Sequence, residues 1–169
     1  LALGVLAAAV PWVWAQRAGR VPPIHDITTD THDPPAFLAV QPLRADAPNP
    51  ATYGGPEIAA AQRRAYPDLG PLAMATMPAS ATFARALDAA RASGWAIVAA
   101  DSGAGRIEAT AATGWFGFKD DVVVRVRPAG AGSVIDVRSV SRVGVSDVGT
   151  NARRIRGYLD RLRADSPRE

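Results

Sequence analysis

The chain has no cysteine, which excludes disulfide scaffolds, thiolate zinc sites, iron–sulfur clusters and cysteine nucleophiles at once. It has one lysine, Lys119, so its basic character rests almost wholly on arginine, which stays protonated at high pH. The pI near 9.9 therefore accompanies a formal net charge of only +3 and is no signature of polyanion binding. Glycine-rich phosphate loops are missing: neither a Walker sequence nor a dinucleotide fingerprint occurs. No G-x-S-x-G elbow surrounds Ser139 or Ser141, and both histidines lie more than a hundred positions upstream, which argues against a serine hydrolase triad. Internal repeats are absent as well. No cofactor is implied.

What is present is ordinary globular material. Hydrophobic residues make up 48% of 169 positions and charged residues 21%, enough for one packed core and too little chain for two independent ones. Residues 1–15 carry no charge and end in Trp12 and Trp14, followed by Arg17 and Arg20. Indole rings at headgroup level and guanidinium groups reaching water fit a helix leaving a bilayer through its interface. Fifteen helical residues rise roughly 22 Å, less than the roughly 30 Å of hydrocarbon. Residues 1–17 are read as the end of a transmembrane or signal-anchor helix; a signal peptide with a poor cleavage site at Val13, Trp14 and Ala15 is the alternative. The two arginines alone point the following domain to the cytoplasm.

Residues 18–55 are interrupted by Pro22, Pro23, Pro34, Pro35, Pro42, Pro48 and Pro50, so the segment runs extended. Its Ile24, Ile27, Phe37, Leu38, Val40 and Leu43 are too apolar for a free linker, which predicts an arm packed on the domain and lending it an edge strand. Residues 56–66 suit a short helix ending before Pro67, and 66–72 read as a turn-rich connection. Ser80 is the expected N-cap of a helix bearing Phe83, Ala86, Leu87 and Ala90, with Gly94 at its stop. Four strand-like runs follow at 95–100, 106–115, 121–127 and 133–140, forming an antiparallel meander. In the third, Val122, Val124 and Val126 share one face; Val123, Arg125 and Arg127 share the other, which the arm is expected to cover. A last helix from about Asn151 presents Ile155, Tyr158, Leu159 and Leu162 as one stripe. The prediction is an α+β domain over 56–165, single together with its arm, with an antiparallel sheet of four or more strands and helices on one face.

The run from Pro23 to Asp30, with Asp33, Pro34 and Pro35 just beyond, resembles the opening of a bacterial and plastid family called domain of unknown function 1499. Three further runs share the resemblance in order: Tyr66-Pro67-Asp68 with Pro71 and Leu72; Trp115 through Asp121; and Arg138 through Gly144, continued by Asp147, Gly149, Asn151, Arg154 and Ile155. The resemblance implies one shared soluble domain, often behind membrane spans, with no reaction or ligand attached to it. It favours an outward-facing, periplasmic domain, against the two-arginine hint.

Ser139, Ser141, Arg142, Asp147, Asn151 and Arg154 gather where a strand hands over to a helix, whose unpaired N–H groups suit an anion. The plainer reading pairs Asp147 with Arg142 and leaves Asn151 or Thr150 to cap the helix. His25, Asp26, His32 and Asp33 are the weak candidates for a metal, and local turn structure is the better account of them. Asp120 and Asp121 are expected in a turn, solvated or capping. Trp115, Phe116 and Phe118 form a candidate docking patch, and the arginines of the last helix suit headgroups or an acidic subunit better than nucleic acid. The function expected is a membrane-anchored, non-catalytic binding or assembly module, an accessory subunit of a larger membrane complex, with lipid and other membrane subunits as partners. The alternative is a small-ligand-binding protein or hydrolase with an anion pocket around Arg142, Asp147 and Asn151.

Overall fold

A computed structural model describes residues 22–113, 117–146 and 148–164. Valine alternation and short glycine turns drive residues 96–141 into four long antiparallel strands: β3 (Ala96–Asp101), β4 (Arg106–Ala112), β5 (Lys119–Ala129) and β6 (Gly132–Ser141). Two short strands, β1 (Asp26–Thr28) and β2 (Leu72–Met74), pair with the outer edge of β6, one beside residues 138–140 and the other beside 133–135. The six-stranded sheet thus runs β1-β6-β5-β4-β3, with β2 sharing the edge of β6. End-to-end coverage of that edge removes an open strand from the surface. Three helices accompany it: α1 (Pro56–Ala65), α2 (Ala79–Ala92) and α3 (Thr150–Ala164). Among the described residues no helix is long and apolar enough to cross a membrane; residues 1–17, where the anchor was expected, lie outside them.

The helix-facing side of the sheet carries Ile27, Ile107, Val122, Val124, Ile135 and Val137, all buried against Phe83 and Ala86 of α2 and Ile155, Leu159 and Leu162 of α3. The stripe expected on the last helix is therefore its core face. Tyr158 stacks on Trp95 at 4.7 Å between ring centroids and donates to Ala86 O at 2.7 Å, satisfying the one polar atom it buries.

The arm crosses the opposite side. Phe37 and Val40 pack on Val123 and Val140 there, and a 3-10 turn at Gln41–Arg44 follows. One expectation is corrected. Ser80 is not the cap of α2: Pro78 is, and no side chain caps that end. The 66–72 stretch is the turn-rich connection expected up to Pro71, and Leu72 opens β2, which completes the edge of β6. Gln62 of α1 treats β1 as a strand treats its neighbour, accepting from Thr28 N at 2.9 Å and donating to Thr28 O at 2.6 Å.

Candidate functional site

Period-two alternation places Asp121, Val123 and Arg125 of β5 and Asp136, Arg138 and Val140 of β6 on the arm side. The result is a layer of buried charge rather than a second oily core. Arg138 is bidentate on Asp26, donates to Pro35 O at 3.0 Å and Ala51 O at 2.6 Å, and lies between the rings of Phe37 and Tyr53. Burial pushes the Tyr53 hydroxyl up to about 12, and the Asp26 carboxylate adds to it. Glu108 accepts the amides of Leu38 and Val40 at 2.9–3.0 Å. Asp121 is shared by Arg44 at 2.6 Å and Arg142 at 2.8 Å. One Asp136 oxygen receives Arg125 and Arg127. Arg125 also reaches Asp33 at 2.8 Å and Asp30 at 3.2 Å. Burial opposes the Arg125 charge, but the carboxylates of Asp136 and Asp33 outweigh it and raise its pKa.

Asp120 and Asp121 are thus corrected: both lie within β5 and are buried, each neutralised by arginine from a distant part of the chain. Sequence reading missed them, together with Glu108 and Arg44. The available signal was alternation, since Asp121 continues the face of Val123 and Arg125.

On the helix side, Ser139, Ser141, Asn151 and Arg154 do meet. Asn151 Nδ2 donates to Ser141 Oγ and His25 O, both at 2.9 Å, while its Oδ1 accepts from Ser139 Oγ at 2.7 Å and from Arg154. Arg154 also donates to Ser139 Oγ at 3.0 Å and Asp120 at 2.5 Å. These bonds fasten the first turn of α3 to the ends of β5 and β6. Arg142 is on the other side of the sheet, bonded to Asp121, Leu43 O and Thr110 Oγ1. The structure therefore splits the expected anion cluster in two, and Asp147 lies outside the described residues. His25, Asp26, His32 and Asp33 do not converge; among the described residues no three such side chains could hold a metal. Asp26 and Asp33 face arginines instead.

One end of the sheet differs from the rest. Pro22 lies there, its carbonyl accepting from Ser146 Oγ at 3.4 Å. Arg142 N donates to Lys119 O, and Asn49 ties the arm to Arg142 O, Ser141 O and Gly144 O. Around these bonds stand exposed apolar side chains: Val145 at 76%, Leu43 at 54%, Phe118 at 51% and Val143 at 40%. Phe118, from the expected docking patch, belongs to this Pro22 end; Trp115 and Phe116 fall outside the described residues, as do Trp12, Trp14, Arg17 and Arg20.

A family model described as a protein of unknown function, DUF1499, matches residues 26–162. No curated protein matches the chain.

Proposed function

The chain belongs to the DUF1499 family, and from that premise we propose that it is a non-catalytic binding module tethered to a membrane, with its Pro22 end turned to the bilayer. The observation that carries this reading is the cluster of Leu43, Phe118, Val143 and Val145, exposed at the end where the uncharged stretch 1–15 joins the domain. The six residues 16–21 span at most about 22 Å when fully extended. That tether holds the cluster within reach of any lipid surface that receives residues 1–15. Exposed Lys119, with Arg17 and Arg20 in the tether, adds positive charge suited to anionic headgroups. The pairing of Asp26, Asp33, Glu108, Asp120 and Asp121 with internal partners supports a structural rather than a catalytic use of these acids. A periplasmic face and an accessory role in a larger membrane complex belong to the same proposal.

The absence of cysteine makes the test clean. Val145→Cys and Ala131→Cys each provide one labelling site in the full chain reconstituted into lipid nanodiscs. Ala131 sits in the β5–β6 turn, about 30 Å from the other end by strand rise. A fluorophore at 145 should be quenched by lipid-borne quencher and one at 131 only by aqueous quencher. Equal aqueous quenching at both positions overturns the proposal, and so does protection of 145 from both quenchers, which assigns that end to a protein partner.

A further inference from the structure

The groove between the end of α2 and positions 153–161 of α3 holds about 320 Å³ and is lined by Arg153, Arg154, Gly157 and Arg161 on one side and by Trp95 and Ala112 on the other. Among the described residues no carboxylate is in its lining. Lacking an ion pair does not by itself set its arginines apart, since among the described residues Arg63, Arg64 and Arg106 also have none; what matters is that two such arginines line one groove. Arg156 and Arg163 pair with Asp68 and Asp160, and Arg154 has Asp120. Among the described residues Arg153 donates to Val148 O and Thr150 Oγ1 and to no carboxylate, and Arg161 has no hydrogen bond or ion pair there. Two cations without a counter-ion among the described residues therefore border the same groove as a third.

Gly157 stands midway between them. Positions 153, 157 and 161 follow one another at the helical repeat of four, so the two arginines start about 12 Å apart along the axis and can converge over the glycine. Glycine inside a helix is unfavourable relative to alanine. Nothing local calls for it here: its backbone is ordinary helix, and a Cβ would meet no atom within 4 Å. The carbonyls of Ala89, Ala90 and Arg91 at the end of α2 are taken by the amides of Ser93, Gly94 and Trp95, so that wall does not compete for guanidinium groups.

We propose that this groove binds a phosphate group, held by Arg153 and Arg161 over the bare backbone of Gly157, with Arg154 fixed beside it by Asp120. Guanidinium forks match phosphate oxygens in geometry as well as charge. The groove borders the Pro22 end, since Ala112 in its lining pairs with Lys119, but phosphate binding there does not depend on the tether. The phosphate can belong to a soluble molecule or to a lipid headgroup.

The test uses the full chain in nanodiscs of zwitterionic lipid. One arm titrates inorganic phosphate by calorimetry; a second measures binding when phosphatidic acid is added to the disc. Saturable binding in either arm, weakened at least tenfold by Arg153→Gln combined with Arg161→Gln, supports the site, and the responding arm identifies the source. Gly157→Leu separates it from general charge attraction. That variant keeps every arginine and improves the helix, so its Tm should hold or rise while binding falls by at least tenfold. No saturable binding in either arm, or parental affinity in Gly157→Leu, overturns the proposal.

Discussion

Arg138 grips Asp26 through two parallel bonds, Nε to Oδ1 at 2.9 Å and Nη2 to Oδ2 at 2.7 Å, and both side chains are less than a tenth exposed. The pair joins the long central strand β6 to the short strand that follows residues 22–25. Because Arg138 also donates to Pro35 O and Ala51 O, a single guanidinium organises β1 and two stations of the arm. Asp26→Ala should therefore cost about 3–5 kcal/mol, the usual penalty for leaving one buried charge without its partner. Arg138→Lys should recover little of a comparable loss, since an ammonium reproduces neither the fork nor the stacking between Phe37 and Tyr53. Urea unfolding of the three proteins measures this; a loss below 1 kcal/mol in Asp26→Ala would mean that water reaches the site.

The limits of legibility follow the same geometry. Alternation revealed β5, because Val122, Val124 and Val126 report one face and Arg125 and Arg127 the other without knowledge of any partner. The stripe on α3 was legible for the same reason, and so was an arm over the charged face. What stayed hidden depends on residues far apart in sequence. Asp121 looks solvated until Arg44 and Arg142 arrive from 77 and 21 positions away. Leu72–Met74 is three residues long, too short for a period, and is a strand only because β6 offers it an edge. Ser139, Ser141, Asn151 and Arg154 share one hydrogen-bonded cluster, but nearness in sequence could not reveal that Arg142 turns to the other side of the sheet.

The arm should open before the sheet does. Glu108 alone accepts Leu38 N and Val40 N from beneath, so Glu108→Ala leaves two amides without their acceptor, at about 1–3 kcal/mol for each that water cannot reach. Hydrogen exchange should accelerate across residues 37–44 while the amides of Ile135 and Val137 keep their protection. Simultaneous exchange of arm and sheet would show that the two unfold as one unit.

Acid should loosen the turn at Asp30. Burial opposes ionisation of this carboxylate, but the amides of Asp33 and His32 and the charges of Arg125 and Arg127 outweigh it and hold its pKa below the ordinary aspartate range. A depressed folded-state pKa means that its stabilisation is complete above the unfolded value, about 4, and is lost as pH falls through the lower folded value. Asp30→Ala should thus be less stable than the parent by about 1–2 kcal/mol at pH 7, with the gap closing below about pH 4. A gap that persists unchanged at pH 2.5 would assign the loss to packing rather than charge.

Gly132 is required by contact, not by conformation. A Cβ there would lie 2.1 Å from Met74 O and 2.4 Å from Ala75 O, where the end of β2 crosses the start of β6. Neither backbone carbonyl can move alone, since Met74 pairs with Ser133 and the Ser133 hydroxyl lies within hydrogen-bond distance of both Met77 O and Thr82 Oγ1. A methyl group at 132 consequently pushes β2 and the first turn of α2 together. Gly132→Ala should lower stability by roughly 2–3 kcal/mol, as overpacking against backbone does. Gly70→Ala, whose Cβ would meet nothing within 4 Å, should stay within about 0.5 kcal/mol of the parent. Thermal unfolding of the two variants separates the alternatives: equal melting temperatures would mean that β2 is held too loosely for its contact with Gly132 to matter.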